Sequence, residues 1–566
     1  MKLTLPIPLP KGTQRLYILC THLAIGASLW GYNIGILSSI LVHPGWRAVL
    51  GDPPPSTRGL VTGIYYLGTL MSYLLVAHPL ADYFGRRHAA GIGALAICAG
   101  SVVMASAGGE TALGSMLWGR VICGMGVGVV STSVPLYQRG ACYFGICRAW
   151  MFLADDGEWS SEVSPAQERG KFVTLNHVGF IAGMAAGLWI GYGMTFWTSS
   201  EAGKYWGWRV SILIQLFPAF IFMIGLPFLP DTPRWLIQKG QTERASRVLH
   251  ALRQGTTSLD LITCELHAIS SAVGSLPRSY RQDFLDPSLS LFRNRSLFAR
   301  LWRAFLLQFM AQMCGAAAMK YYLPTLLEAL GLEYRLALMA GAVEMTIKIG
   351  MTVVEMWVID RFGRTGCLMV GSMVMGVAMM INGILPFLFP GNVSKLADSI
   401  CVAFIFIYAM GYSFGLGPAV WVYSSEIFPT TERARGLNLA ASGGSIGSIL
   451  VSQIWPAGKE KLGSGVYLVF MVINFLCIPI IWSWYPETKG RALEEMDSLF
   501  GKKPSARHDS DVVTAESTSV NRHRGGDVAP LTPGAGEEVE PEPEPEEAEH
   551  EHEPLLSVRG INHGTI

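Results

Sequence analysis

Three charged residues stand where charge is expensive. Lys320 lies inside the apolar stretch "AQMCGAAAMKYYLPTL", and Glu344 and Lys348 lie inside "GAVEMTIKIGMTVVEMWVID". An unpaired charge at the centre of a bilayer costs about 2.5–3.5 kcal/mol on insertion scales. Glu344 and Lys348 are one helical turn apart and share a face, so an ion pair between them reduces that cost. Lys320 has no partner in its own helix. Two readings stay open: a structural Glu344–Lys348 pair, or a cleft with basic character that receives an anionic solute.

A second set of charges is repeated. "LADYFGRRHA" (80–89) and "VIDRFGRTG" (358–366) share an Asp-x-x-Gly-Arg pattern: Asp82, Gly85 and Arg86 in the first, Asp360, Gly363 and Arg364 in the second. "SSEVSPAQER" (160–169) and "SSEIFPTTER" (424–433) form another pair, carrying Glu162 and Arg169, then Glu426 and Arg433. Carboxylates and guanidiniums at helix ends form bidentate pairs. As isolated surface pairs they would be worth under about 1 kcal/mol each. Their repetition in both halves points to a shared role beyond that.

These residues must be positioned by membrane helices. Half of the 566 residues are hydrophobic, 15% are charged and the mean hydropathy is +0.35, less charge than a soluble chain of this length carries. The apolar residues gather in twelve runs near 15–42, 58–80, 89–108, 113–138, 170–192, 206–229, 299–327, 335–359, 366–389, 396–424, 435–457 and 464–485. About 20 residues cross a bilayer core as a helix, and runs this continuous exclude a barrel. The fold predicted is therefore an all-α membrane protein of twelve transmembrane helices in two pseudo-symmetric six-helix bundles.

The expected organisation follows: a short segment 1–14, a bundle over 15–229, a loop over 230–298, a second bundle over 299–486 and a tail over 487–566. The first run lacks a small-residue cleavage signature and is expected to be a retained helix. Basic residues in alternate loops place both termini in the cytoplasm. The loop stretch "TPRWLIQKGQTERASRVLHALRQ" reads as amphipathic helices in a solvated connector. The tail stretch "GEEVEPEPEPEEAEHEHEP" is acidic and Pro-rich and predicts disorder. Its Glu551, Leu555 and Leu556 match an acidic dileucine sorting signal for an adaptor. That gives a hint of vacuolar or endosomal traffic, with the plasma membrane the leading expectation. Ten scattered cysteines show no metal-ligand or disulfide spacing. Neither a nucleophile motif nor a phosphate loop stands on a soluble segment, and "GMGVG" lacks the βαβ context of a nucleotide loop. No enzyme chemistry, cofactor, metal or nucleic acid is expected.

Several motifs together resemble the sugar porter family of the major facilitator superfamily. They are "LPDTPRWL" (229–236), "YPETKGRALEEMD" (485–497), "GRVICGMGVGVVSTSVPLY" (119–137), "GLGPAVWVYSSEIFP" (415–429) and the two Asp-x-x-Gly-Arg loops. The resemblance covers about 15–497. It implies alternating access between two bundles around one carbohydrate or carbohydrate-like substrate: a sugar, polyol or sugar acid. It also implies that the repeated charges latch the bundles on the cytoplasmic side. Asn33 stands where proton-coupled members carry Asp, and Arg120 matches its arginine partner. The pair resembles facilitative carriers and favours uniport, with proton coupling through another carboxylate the alternative. A non-transporting nutrient sensor is a further alternative. His177 replaces a glutamine. On the seventh helix Gln312, Gly315, Tyr321 and Tyr322 match, and Gln308 is a further candidate contact. Ala311 and Ala317 replace a Gln and an Asn that bind hexose. Lys348 falls at a sugar-contacting Asn, and Trp421 at a ring that stacks on sugar.

One departure interrupts the first latch motif. The family joins its fourth-helix tyrosine almost directly to Ser-Glu-x-x-Pro, as the chain does at Tyr423 to Pro429. After Tyr137-Gln138, 22 residues (139–160) intervene before Glu162. An unspliced intron is the leading explanation, a genuine cytoplasmic insertion the alternative.

Overall fold

In lipid, an apolar run satisfies its backbone only by closing hydrogen bonds within itself. The computed structural model shows this chain as helices joined by short turns. It describes residues 11–141, 169–253, 262–263, 266–267, 269–271, 291–390, 394–429 and 432–489. Twelve helices carry the architecture. In the first half they are α1 (Lys11–Ile40), α2 (Pro55–Phe84), α3 (Arg86–Ala105), α4 (Ala112–Ala141), α5 (Arg169–Met194) and α6 (Glu201–Phe228). In the second half they are α7 (Arg295–Met313 with Ala316–Ala329), α8 (Tyr334–Phe362), α9 (Arg364–Leu388), α10 (Lys395–Glu426), α11 (Arg433–Leu462) and α12 (Gly465–Trp484). Each overlaps one of the twelve apolar runs. Ten are long and apolar enough to cross a membrane. The other two are α7, divided into two shorter helices, and α11, rich in Gly and Ser.

The two halves repeat their packing. α1 lies on α5 as α7 lies on α11, and α3 on α4 as α9 on α10. The bundles meet along α2–α11 and α5–α8. Small residues permit the close approaches. A Cβ on Gly31 or Gly35 of α1 would strike the α5 backbone at Phe180 and Met184. The "GMGVG" glycines do the same work: Gly124 and Gly128 abut α2, and Gly126 abuts Gly93 of α3.

Four helices are broken. A π-helical turn interrupts α2 at Ser72–Val76 and α10 at Tyr412–Leu416. α6 is interrupted at Ile214–Gln215. α7 breaks at Gly315, whose φ of 100° is left-handed and favours a residue without a Cβ. The breaks in α7 and α10 lie beside the lysines noted above.

The repeated Asp-x-x-Gly-Arg loops have the same backbone. Gly85 (φ 91°, ψ 154°) and Gly363 (φ 83°, ψ 166°) each end one helix and begin the next. In each half, the segment after the last helix docks on this loop. Trp235 Nε1 donates to the Asp82 carbonyl at 3.1 Å, and Arg87 reaches Asp231 at 3.6 Å. In the second half Glu487 accepts from the Arg364 and Thr365 backbone N–H groups at 2.9 and 3.0 Å. The start of the central loop is thus anchored rather than simply solvated, because Trp235 and the buried Leu236 pack there. The insert and tail calls (139–160, Glu551, Leu555, Leu556) fall almost wholly outside the described residues. α4 runs as helix to Ala141.

Candidate functional site

The first buried polar centre belongs to the N-terminal half. Asn33 on α1 and Arg120 on α4 are each about 1% exposed. Arg120 Nη1 donates to Asn33 Oδ1, and Arg120 Nε donates to the Val61 carbonyl at 3.3 Å. Asn33 Nδ2 donates to Gln215 Oε1 at 3.2 Å. Gln215 sits at the break in α6, where it also accepts from Ser101 and donates to the Leu29 carbonyl. The sequence reading missed Gln215. A lone glutamine at an interrupted apolar run was the available signal. The Arg120 guanidinium lies 4.3 Å from the Tyr65 ring and 6.0 Å from the Tyr321 ring of α7, so this centre touches the other bundle.

The second centre belongs to the C-terminal half and is more highly charged. Lys320, Glu344 and Lys348 are buried. Lys348 Nζ lies 3.7 Å from Glu344 Oε1, so the i,i+4 pair forms. Lys320 Nζ donates to the Tyr412 hydroxyl at 3.2 Å and stands 4.7 Å from that ring. Lys348 Nζ lies 5.5 Å from the same ring. Tyr412 begins the π-helical turn of α10 and bridges both lysines. Among the described residues no carboxylate comes within ion-pair distance of Lys320. Its partner is an aromatic on another helix, which spacing within α7 could not reveal.

His177 of α5 is half-buried and faces this break. A Cβ at Gly417 would lie 3.2 Å from His177 Nε2. The charges of Lys320 and Lys348 both reach that imidazole. Gln308 Nε2 and Gln312 Oε1 are buried without hydrogen-bond partners. Such atoms are costly to leave unmade and suit a bound polar solute. Tyr322 donates to Thr62 and to the Ser452 carbonyl, both at 3.3 Å. Trp421 meets Trp30 of α1 edge-on at 6.1 Å. Tyr321, Tyr322 and Trp421 therefore all lie where the bundles meet.

Among the described residues, the ion pairs of the helix-end charges Arg86 and Arg364 lie within each bundle. Arg86 binds Asp82 through one contact at 2.9 Å, and both belong to the first bundle. Arg364 binds Glu426 bidentately at 3.2 and 3.0 Å, and both belong to the second. These pairs brace each bundle internally. The contact across bundles runs through His78, which the sequence reading missed. Its Nδ1 lies 3.1 Å from Asp82 Oδ2, and its Nε2 accepts from Arg435 Nε of α11 at 3.0 Å. The signal was its position four residues before Asp82. Glu162 lies outside the described residues, as do the side chains of Arg169, Asp360 and Arg433.

Near the second loop, burial works against ionisation of Glu487. Hydrogen bonds from the Thr365 hydroxyl and from the backbone N–H groups of Arg364, Lys489 and Thr365 outweigh it. They hold the carboxyl below the usual glutamate range.

With the fold and these centres described, comparison with known proteins identifies the class. The Sugar (and other) transporter family matches residues 19–143 and 158–500, so the chain belongs to that family. It is a membrane transporter, not an enzyme. The match skips 144–157, inside the insert. The chain is 27% identical over 538 residues to a probable quinate permease of Aspergillus terreus, covering 92% of this chain and 93% of the relative. It is 27% identical to the MFS-type transporter oryC of Aspergillus oryzae, covering 88% and 87%. The fold matches the proton:xylose symporter XylE bound to 6-bromo-6-deoxy-D-glucose, with a TM-score of 0.69, 22% identity and coverage of 87% and 100%. It also matches XylE from E. coli in a partially occluded inward-open conformation, with a TM-score of 0.67, 21% identity and coverage of 85% and 100%.

Proposed function

We propose that this chain carries a polyhydroxylated carboxylate, such as a sugar acid or a quinate-like solute, across a membrane by alternating access. The observation that carries the reading is Lys320, a buried ammonium with an aromatic neighbour and, among the described residues, no carboxylate within ion-pair distance. A carboxylate solute completes that site. Unpartnered amide atoms on Gln308 and Gln312 suit its hydroxyls. The relatives named as probable quinate permeases act in the same chemical class, since quinate is a polyhydroxylated carboxylate. His177, Tyr321, Tyr322, Lys348 and Trp421 line the path in this reading. Asn33 and Arg120 couple it to the first bundle.

The helix ends bearing Asp82, Arg86, Asp360, Arg364, Glu426, Arg169 and Arg433 face the cytoplasm in this reading, with Glu162 joining them, and the membrane is the plasma membrane. The Asn33–Arg120 pair carries no titratable carboxyl, which favours uniport through that pair. A buried glutamate elsewhere supports proton coupling and is taken up below.

The test is competition in proteoliposomes. Quinate and gluconate are expected to displace labelled substrate better than glucose and xylose, and Lys320→Met and Lys348→Asn to erase that preference. Equal competition by neutral sugars, unchanged in both variants, refutes the basic site. Absence of any uptake by the purified protein favours a sensor.

A further inference from the structure

Helix α8 carries a polar stripe on one buried face. Glu344, Lys348, Thr352 and Glu355 recur at spacings of four, four and three, and all are buried. Glu355 is 0% exposed. Neither of its carboxyl oxygens has a hydrogen-bond partner, and among the described residues no cation comes within ion-pair distance. The Ala419 backbone N–H points at it from α10 without completing a bond of normal geometry. Ala419 is the second residue after Gly417, at the start of the helix that resumes beyond the π-helical turn. Its N–H is one of the donors a helix N-terminus leaves open. An ionised carboxylate here lacks the pairing that burial demands.

We propose that Glu355 is a proton-binding site that couples proton entry to anion transport. The argument is one of charge count. Lys320, Lys348 and Glu344 together carry one net positive charge; Tyr412 is bonded to Lys320 and lies 5.5 Å from Lys348, and Glu355 stands two turns beyond Lys348 on the same buried face of α8. With Glu355 protonated, that positive charge remains and receives a carboxylate. With Glu355 ionised, the charges of the α8 face and Lys320 sum to zero and the attraction for the anion weakens. Glu344 is already paired with Lys348 at 3.7 Å. The step is a plain protonation: one O–H bond forms on Glu355 from aqueous hydronium on the entry side. The same bond breaks to water on the exit side, and no electrons transfer.

The other titratable or charged groups facing this helix are His177 from α5, Lys320 from α7 and Tyr412 from α10. From α9, Arg364 donates to the Ile359 carbonyl but is held by Glu426. None supplies a counter-ion to Glu355. The carboxyl stands beside the α10 break, where rearrangement of the helix would alter its access to water.

This rests on the anionic-substrate reading above, and the experiment separates the two. The full chain is reconstituted in proteoliposomes with labelled quinate as probe. An inside-alkaline gradient of one pH unit should accumulate quinate about tenfold, with no response to membrane potential because one proton and one negative charge move together. Glu355→Gln should lose that accumulation yet retain quinate counterflow, which also shows that the variant is folded. In the purified protein, an acid-minus-alkaline infrared difference spectrum should contain a protonated-carboxyl band that Glu355→Gln removes. Accumulation by Glu355→Gln equal to wild type, or an infrared band that survives the substitution or is absent from wild type, overturns the proposal. If quinate enters under no condition, the substrate reading fails, and the infrared titration still decides Glu355.

Discussion

The two halves of the molecule bury comparable polar centres and treat them differently. In the N-terminal centre a single charge, Arg120, is held by hydrogen bonds to an amide and a carbonyl and by two aromatic rings, with only its Nη2 left without a partner. Asn33 and Gln215 pass those bonds on to α3 and α6. In the C-terminal half Lys320 and Lys348 stand against Tyr412, Lys348 pairs with Glu344, and among the described residues Lys320 and Glu355 have no counter-ion. A network whose members are mutually satisfied holds one geometry. A network with open valences is poised to take a ligand or a proton. The first centre leaves one donor open, Arg120 Nη2, where the second leaves an ammonium and a carboxyl without counter-ions among the described residues.

The comparison can be broken most strongly at Lys348. Lys348→Met leaves Glu344 buried without its partner and should destabilise the protein by about 3–5 kcal/mol, read as a lower thermal midpoint in detergent. Adding Glu344→Met should recover most of the loss, since the pair is then removed together. In the first centre, Arg120→Met strands Asn33 Oδ1 and should cost about 1–3 kcal/mol. Asn33→Asp sharpens the contrast from the other side. It places a titratable carboxyl beside Arg120 and should give transport a pH dependence that persists in Glu355→Gln.

A smaller effect is expected at the loop that braces the second bundle. Glu487 caps the N-terminus of α9, and Glu487→Gln should lower stability by about 1 kcal/mol. Because its folded pKa is depressed, this contribution is fully present above the unfolded glutamate value of about 4.3. It disappears as pH falls through the lower folded value. The difference in thermal midpoint between wild type and Glu487→Gln should therefore shrink on acidification. The smallest expected change is at His78→Ala, which removes one partly buried link across the bundles. It should cost about 0.5 kcal/mol and speed interconversion, read by the exchange rate in counterflow.

The insert is a separate question that a transcript answers. The family match breaks at 144–157, and reading the message across Gln138 to Glu162 shows whether 139–160 are encoded. A continuous message there refutes the intron.

The helices and their number, the repeated loops and the Glu344–Lys348 pair were legible in the sequence. Each depends on periodicity or on residues a turn apart. Gly85 and Gly363 show the same: one backbone conformation with positive φ demanded one residue type twice. The partners of Lys320 and Arg435 were not legible. Tyr412 is 92 residues from Lys320, and His78 is 357 from Arg435. Nothing in either segment names its partner across that separation. The pairing of the helix-end charges was hidden for the same reason: the charges are plain in the chain, but whether they pair within or between bundles is not. Sequence by itself determined which groups lie in the membrane, because hydropathy and helical period are local quantities. Only the tertiary structure decided which of them are satisfied, because satisfaction depends on the distance between helices far apart in the chain.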